Sequence, residues 1–300
     1  MRVLITGATG LIGNEIVKRC HESGIAVNYL TTNKLKLSNK DNYKGFYWNP
    51  NENEIDANSI KEVNAIIHLV GASISKRWTA THKKAILDSR IKTTALLYET
   101  LKSNSHNIAQ IISASAIGRY PSSLTKYYTE DESEVSTSFL GTVVKEWETA
   151  VDAFSELDIT VSKIRIGLVF SSKGGAFPQM VKPIKYGLGA MMGSGAQWMS
   201  WIHIDDLSSL FLHILNHHLK GVYNGVSPNP ETNAILTKSI AKQIRRPLIF
   251  PNIPKMIMAL VLGEMHMLLF ESQRVSSKKV EDSGFRFKYY ALQNALDQLL

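Results

Sequence analysis

The sequence is poor in cysteine, and Cys20 is the only thiol among 300 residues. One thiol can form neither a disulfide within the chain nor a thiolate metal site, so we expect a reducing compartment, the cytoplasm. We interpret Cys20 as a small apolar side chain packed inside a helix. The nine histidines show no metal-ligand spacing, and the sequence therefore predicts no metal site.

Long apolar runs and long runs of one charge are also absent. The most apolar stretch, residues 256–263, is interrupted by Glu264 and His266 and falls short of the roughly eighteen apolar residues that cross a bilayer. We therefore expect no membrane association and predict a buried helix there. No signal peptide is expected before the strand that begins at Arg2. The net charge is +8, but the lysines are dispersed, which disfavours nucleic-acid binding.

A glycine-rich loop lies near the start of the sequence. The apolar, β-branched run 2–6 predicts a strand, residues 7–13 read Gly-Ala-Thr-Gly-Leu-Ile-Gly, and a helical pattern follows to about residue 23. A strand that enters a glycine turn and then a helix places a pyrophosphate on the helix N-terminus. Glycines permit the tight turn and the close approach of backbone to phosphate. The predicted dinucleotide contacts are Gly7, Thr9, Gly10, Leu11, Ile12 and Gly13.

Apolar β-type runs alternate with helical patterns through the first half of the chain. This alternation predicts an α/β fold of the Rossmann type, a doubly wound parallel sheet with helices on both faces. The predicted strands lie near residues 26–30, 44–48, 65–70, 108–113 and 160–166, and the predicted helices near residues 81–103 and 142–155.

The pattern changes after residue 170, where glycine pairs mark loops. The predicted elements are a strand at 201–204, a helix at 207–216 capped by Asp205, a strand at 223–226 and a closing strand near 284–287. We predict a dinucleotide-binding domain over residues 1–170, to which residues 200–226 return, and a smaller, mostly helical substrate domain over residues 171–300. A ligand cleft is expected above the carboxyl ends of the strands.

Motifs along the whole chain resemble one family. Residues 6–13, Ser113-Ala-Ser115 and the Trp-Ile-His-Ile-Asp-Asp-Leu run at 201–207 resemble the extended short-chain dehydrogenase/reductases of the NAD-dependent epimerase/dehydratase group. The chain is more closely similar to an atypical subgroup, the epimerase family proteins, through residues such as Arg77-Trp78, Ser89-Arg-Ile91, Trp147-Glu148, Arg246-Pro247 and Gln273-Arg274. The resemblance implies a Rossmann domain that binds a nicotinamide cofactor and a small C-terminal substrate domain, without implying a known reaction.

The end of the second predicted strand bears on the choice of cofactor. A carboxylate there binds the ribose 2′-hydroxyl of NAD and repels a 2′-phosphate. This chain instead has Thr32, Asn33 and Lys34, with Lys36 close behind. Hydroxyl, amide and ammonium groups suit a 2′-phosphate, so we predict NADP(H) in preference to NAD(H). The alternative is that Lys34 and Lys36 are solvated loop charges.

The tyrosine and lysine, four residues apart, of the family's usual mechanism are missing. Residues 139–148 read Phe-Leu-Gly-Thr-Val-Val-Lys-Glu-Trp-Glu, so Lys145 is preceded four places earlier by Gly141, which carries no acid. Lys145 is also explained as a surface residue of its helix. The atypical subgroup commonly lacks the pair, so the resemblance accounts for its absence and leaves the usual dehydrogenase mechanism in doubt.

Other residues are candidates for the chemistry of the site. Ser115 matches the serine that orients the substrate in the family, or it caps a strand end. Tyr120 follows in the next loop, from which its phenol can enter the cleft as a proton donor or form an aromatic wall. Glu148 is either an acid/base group or a buried carboxylate in a hydrogen-bond network. We take Ser115 and Tyr120 as the predicted catalytic residues.

The resemblance also implies which strand ends meet the cofactor, with residues 165–168 beside the nicotinamide. The further cofactor contacts that we predict are Val70, Gly71, Ala72, Ser113, Ile166 and Gly167. Aromatic walls with a few polar groups are typical of small-molecule pockets. The predicted substrate cleft therefore contains Trp198, Trp201 and His203, although packing alone also accounts for the tryptophans.

Three functions remain open at this point. The first is an NADP(H)-binding oxidoreductase that acts on a small carbonyl or hydroxyl compound, and the retained Ser115 and the aromatic cleft favour it. The second is a non-catalytic dinucleotide-binding protein that senses redox state or holds a partner, favoured by the missing tyrosine and lysine. The third is sugar-nucleotide epimerisation, which usually needs that tyrosine. The oligomeric state cannot be derived from the sequence.

Overall fold

One large sheet organises the first half of the chain. The computed structural model describes residues 1–300. The strands are β1 Arg2–Thr6, β2 Ala26–Thr31, β3 Asn39–Lys40, β4 Tyr43–Asn49, β5 Glu54–Ile55, β6 Ala65–His68, β7 Gln110–Ala116, β8 Tyr127–Tyr128, β9 Thr160–Ile166, β10 Leu168–Phe170, β11 Trp198–Met199, β12 Trp201–His203, β13 Gly221–Gly225, β14 Glu231–Thr232 and β15 Arg274–Val275. The α-helices are α1 Leu11–Glu22, α2 Ala80–Lys102, α3 Phe139–Asp152, α4 Ala176–Lys185, α5 Ile204–Asn216, α6 Asn233–Gln243, α7 Lys255–Leu262, α8 Met267–Phe270, α9 Lys278–Asp282 and α10 Leu292–Leu299.

The order of the strands reverses beside β1. The large sheet has the order β13-β9-β7-β6-β1-β2-β4-β3, with β5 paired to β4. β1 pairs in parallel with both β2 and β6, so the chain winds outward from β1 in both directions. Right-handed crossovers in opposite directions place α1 and α2 on opposite faces of the sheet. The predicted Rossmann-type α/β class is confirmed, and the carboxyl ends of β1 and β6 form the switch point where ligands bind in such sheets.

Apolar strand residues and two pairs of helices build the main core. Val3, Leu4 and Ile5 of β1 are fully buried, as is Cys20 of α1. The helix α1 packs on α5, and α2 packs on α3. A smaller apolar cluster lies in the C-terminal half, around Trp201. The strand β13 adds to the edge of the large sheet beside β9, while the division into two domains at residue 170 stays a prediction.

Two secondary-structure predictions for the second half of the chain are wrong. The helix α5 begins at Ile204 rather than residue 207, and its N-cap is His203, whose ring accepts from the amide of Asp205. Asp205 therefore lies in the first turn instead of capping it. The predicted closing strand near residue 284 is absent: Gly284 adopts a left-handed φ of +91° at the end of α9, where its amide donates to the carbonyl of Glu281, and residues 284–287 pair with no strand.

The apolar segment 256–263 forms a helix, α7, but the helix is not buried as predicted. Met256 is 81% exposed and Leu260 is 83% exposed. The helix packs mainly on the turn that follows it, at Gly263–His266, so most of its apolar side chains find no partner. None of the helices combines the length and the apolar character that crossing a bilayer requires.

Candidate functional site

The glycine loop between β1 and α1 is shaped by close backbone contacts. Gly7 has a φ of +72°, and a Cβ placed there would lie 3.3 Å from the backbone of Leu69. A Cβ on Gly13 would overlap the carbonyl oxygen of Gly7 and lie 2.7 Å from the Cα of Ala8. Gly10 is the N-cap of α1, and no side chain caps its first turn. The first amides of α1 are therefore open to an anionic ligand, as the sequence predicts.

A chain of hydrogen bonds connects the end of β1, where this loop begins, to the end of β6 and to α2. The amide of Leu69 donates to the Thr6 hydroxyl (3.1 Å), which lies 2.8 Å from His68 Nδ1. His68 Nε2 lies 3.1 Å from the Thr94 hydroxyl, which donates to the carbonyl of Arg90. Because the Thr94 hydroxyl already donates to Arg90, it accepts from the ring, and we therefore assign the proton of His68 to Nε2. Burial, assisted by the charge of Arg90, lowers the pKa of His68 to about 3 and keeps the imidazole neutral.

The loop after β2 is exposed and carries no carboxylate from Thr31 to Lys40. The side chain of Asn33 accepts from the amide of Leu35 and caps the short turn Lys34–Lys36. Lys34 Nζ lies 4.5 Å from the centre of the Tyr47 ring, so the ammonium group is held at the end of β4. Thr32, Asn33 and Lys34 thus stand together at the carboxyl edge of the sheet.

A pocket of about 200 Å³ opens beside this edge, at the carboxyl ends of β7 and β9. Most of its lining is apolar. The lining residues are Ile74, Arg90, Ala116, Ile117, Gly118, Leu140, Val143, Val144, Trp147, Ile166, Gly167, Leu168, Trp198, Met199, Ser200, Leu268, Glu271 and Gln273. The predicted contacts Ile166 and Gly167 and the predicted cleft residue Trp198 therefore lie in one pocket.

The helix α3 turns an apolar face to this pocket. Leu140, Val143, Val144 and Trp147 line it, whereas Lys145 is exposed on the other side. The interpretation of Lys145 as a surface residue therefore agrees with its position. A Cβ on Gly141 would overlap the carbonyl oxygen of Ser136, so no side chain, tyrosine included, fits four residues before Lys145.

The predicted catalytic residue Ser115 is buried behind the pocket instead of lining it. Its hydroxyl donates to Glu148 Oε1 at 2.6 Å. Glu148 also accepts from Arg165 at both carboxylate oxygens. Burial opposes ionisation of Glu148, but the hydrogen bonds and charge of Arg165 prevail, so the pKa of Glu148 lies below its usual value. Of the two predicted roles of Glu148, the structure fits the buried hydrogen-bond network.

The second predicted catalytic residue, Tyr120, lies in the same network and does not enter the cleft. Its side chain is fully buried and stacks on Tyr128, with ring centres 5.1 Å apart. Its hydroxyl donates to Asn224 Oδ1 at 2.7 Å and accepts from Arg165 Nη1 at 3.0 Å. Burial raises the pKa of Tyr120 above its usual value. Tyr120 follows the turn Ile117–Arg119 after β7 and packs in a small buried cluster with Tyr128, Val226 and Val275 instead of lining the pocket.

Three other predicted site residues are buried and make hydrogen bonds within the fold. Trp201 is fully buried against Phe170, and its indole donates to the carbonyl of Asn229. His203 caps α5 and hydrogen-bonds to Gln298. Ser113 is buried within β7, three residues before the strand ends, and its hydroxyl donates to the neighbouring carbonyl. None of the three is among the residues that line the pocket, and their roles in the site stay predictions.

Arg90 and Glu271 are the charged residues that line the pocket, and sequence reasoning assigned a role to neither. Arg90 lies four residues after the buried Ile86 on α2, and a charge on an apolar helix face is a signal that the sequence does contain. Glu271 comes from the segment after α8, far along the chain, and no local pattern marks it. Burial raises the pKa of Glu271 above its usual value.

Comparison with known proteins gives consistent matches. Residues 3–225 match the model of the NAD dependent epimerase/dehydratase family, and residues 253–299 match a domain of unknown function, DUF1731. An epimerase family protein of Staphylococcus epidermidis is 35% identical over 300 residues, covering 100% of this chain and 99% of the relative.

Solved structures match over the full length as well. The crystal structure of a human epimerase family protein (isoform 2) with NADPH is similar with a TM-score of 0.86 and 28% identity, covering 100% of this chain and 99% of that one. UDP-N-acetylglucosamine 4-epimerase from Bacillus cereus has a TM-score of 0.76 at 18% identity, covering 100% and 98%. At that identity the likeness to the sugar-nucleotide enzyme concerns the fold alone.

Proposed function

Because the chain belongs to the NAD-dependent epimerase/dehydratase family, we propose that it binds NADP(H) at the β1–α1 loop and acts as an oxidoreductase on a small carbonyl or hydroxyl compound. The observation that carries the proposal is the loop itself. Gly13 has no room for a side chain, and the first turn of α1 has no side-chain cap, so its amides remain available for a pyrophosphate.

The residues present fit this cofactor along the whole edge of the sheet. The loop 7–13 and the start of α1 would hold the pyrophosphate, while Val70, Gly71 and Ala72 follow β6 on the opposite side of the switch point. Thr32, Asn33 and Lys34 would meet the 2′-phosphate, since the loop offers cationic and amide groups without a carboxylate. The human relative solved with NADPH supports the choice of NADP(H) for this chain.

The pocket beside Ile166 and Gly167 is the proposed site of the substrate. A bound nicotinamide supplies or accepts a hydride, and the protein's part is to orient the substrate and exclude water. The lining is largely apolar and includes Trp198, whose indole donates to the carbonyl of Leu124 and is thereby fixed in orientation. A small organic molecule with an apolar body fits such walls better than a sugar nucleotide does.

A second function is favoured by the face that α3 turns to the pocket. Because that face has neither a phenol nor an amine, the chain lacks the usual group for moving a proton at the substrate. A dinucleotide-binding protein that senses redox state without turnover fits this absence. Sugar-nucleotide epimerisation remains an alternative, because it is compatible with the family of the chain. The absence of a phenol and an amine on this face disfavours it.

Calorimetric titration with NADPH, NADP+, NADH and NAD+ at one ionic strength tests the binding step. We expect tight binding of the NADP(H) pair, and binding of none of the four would overturn the proposal. Incubation of the NADPH complex with aldehydes, ketones and quinones then separates the functions. Loss of the reduced-nicotinamide absorbance supports the oxidoreductase, whereas tight binding without turnover across the panel supports the sensor.

A further inference from the structure

Arg90 brings a positive charge to the pocket without a carboxylate partner. Its guanidinium lies 5.0 Å from the centre of the Trp147 ring, on the face of α2 that packs towards α3. Arg90 takes part in none of the ion pairs of the structure. Burial lowers the pKa of Arg90 to about 10, which still leaves it protonated at neutral pH. Charges placed in such surroundings are normally paired.

Only part of the guanidinium is bound by the protein. Nη1 donates to the carbonyls of Ile86 at 2.9 Å and Ala72 at 3.4 Å. Nε and Nη2 have no acceptor in the protein, but neither atom is fully buried. Two nitrogens of the guanidinium, with three N–H donors between them, are therefore free to meet a ligand in the pocket.

The nearby carboxylates are already occupied. Glu148 is bound at two points by Arg165, and Asp88 on α2 pairs with lysines of the same helix. The only carboxylate that lines the pocket, Glu271, accepts from Gln273. Burial raises the pKa of Glu271 above its usual value, and no ion pair joins Glu271 to Arg90. The protein itself thus leaves one positive charge of the pocket unmatched.

From this unmatched guanidinium we infer that Arg90 binds a carboxylate of the substrate, so that the pocket takes a small apolar acid. The inference rests on the proposed function, because it treats this pocket as the substrate site. Guanidinium and carboxylate match in geometry and charge, and such hydrogen bonds are about twice as strong as neutral ones. The other lining residues contact the apolar body of the acid.

The volume of the pocket suits a small apolar body. A cavity of roughly 150 Å³ lined by apolar side chains holds one benzene molecule. The present pocket, at about 200 Å³, has room for one ring or a short branched chain together with a carboxylate. Suitable probes are phenylacetate and 4-methylpentanoate, each with its primary amide, because the amide keeps the shape and removes the charge.

The test is a calorimetric titration of each acid and each amide into the protein, with and without NADPH, at pH 7.5. We expect the acids to bind at least tenfold more tightly than the amides. In Arg90→Gln the acid and the amide should bind equally. The exposed Lys92 lies on the same helix outside the pocket, so the control Lys92→Gln removes an equal charge and should keep the preference.

Equal affinity for acid and amide in the unaltered protein would overturn the inference, and this comparison does not depend on the folding of any variant. A preference that persists in Arg90→Gln would overturn it too. If Arg90→Gln weakens NADPH binding tenfold while acids show no preference, the guanidinium serves a phosphate of the cofactor and the inference fails. A protein that prefers acids but binds no NADPH would sustain the Arg90 site and refute the proposed cofactor.

Discussion

Glu148 and Arg165 are joined at two points, with Arg165 Nε 2.8 Å from Oε1 and Nη2 2.9 Å from Oε2. Both side chains are almost wholly buried. Ser115 donates to the same carboxylate, and Tyr120 accepts from the same guanidinium. The pair therefore links α3 to β7 and β9. Ser115 and Tyr120, the two residues predicted as catalytic, belong to this buried hydrogen-bond network.

Removing the charge of Glu148 should destabilise the fold. Glu148→Gln leaves the buried guanidinium of Arg165 without its anion, a change that costs about 3 to 5 kcal/mol in other buried pairs. Urea unfolding measures the loss. Glu146→Gln is the control, because Glu146 is exposed on the same helix and should change stability by less than about 0.5 kcal/mol. Equal stability of the two variants would show that the ion pair is not structurally important.

Tyr120→Phe should act on stability and leave ligand binding alone. The substitution removes the hydroxyl between Asn224 and Arg165 and leaves both polar partners unsatisfied, at a cost of about 1 to 3 kcal/mol. Tyr127→Phe, at an exposed position of β8, is the control. A loss of turnover with unchanged unfolding and NADPH binding would return Tyr120 to the reaction and contradict its assignment as a structural residue.

His68 should make the stability depend on pH. Its pKa is about 3 in the folded protein and about 6.5 when unfolded, so only the unfolded chain takes up the proton between these values. The contribution of His68 is complete above pH 6.5 and declines as the pH falls, by about 2 kcal/mol between pH 7.5 and pH 5. In His68→Gln this part of the pH dependence should disappear from urea unfolding curves.

The matched control for that measurement is His218→Asn. His218 is exposed and has a φ of +49°, a conformation that asparagine tolerates. Its replacement should leave the difference in stability between pH 7.5 and pH 5 as in the unaltered protein. If His68→Gln retains the full difference, the buried imidazole is not the group that responds to pH.

A carboxylate placed in the loop after β2 should reverse the choice of cofactor. Asn33→Asp can still cap the turn Lys34–Lys36, because its oxygen accepts from the amide of Leu35 as the asparagine does. The new charge repels a 2′-phosphate, so the NADPH dissociation constant should rise at least tenfold while that of NADH stays within about twofold. Asn39→Asp, exposed on β3, is the control, and equal effects of both variants would reject this loop as the 2′-phosphate site.

Local sequence patterns were sufficient to predict the elements that define the fold. The apolar run of β1, the glycine turn and α1 were predictable because strand period, turn chemistry and helix period agree there. The family resemblance is confirmed, and with it the α/β class. Element ends were less predictable: β7 ends at Ala116, which moves Ser113 from the strand end to the interior.

The candidate site was harder to predict because it depends on contacts between distant residues. Ser115 and Glu148 are 33 residues apart, and no local sequence pattern shows that the Ser115 hydroxyl donates to the Glu148 carboxylate. The exposure of α7 shows the converse, since an apolar composition predicts burial only where a partner surface exists. Of the two charged residues of the pocket, only Arg90 has a local sequence pattern, a charge on an apolar helix face, that marks it.

The central claim is that the β1–α1 loop holds the pyrophosphate of NADPH, and NADPH titration of the unaltered protein beside Gly13→Ala tests it most directly. We expect at least a tenfold weaker affinity in Gly13→Ala, because its Cβ would overlap the loop at Gly7. Gly24→Ala, at the other end of α1 with open space around it, should keep the affinity despite its strained φ of +69°. Equal NADPH affinity of all three proteins, or no binding by the unaltered one, would contradict the account.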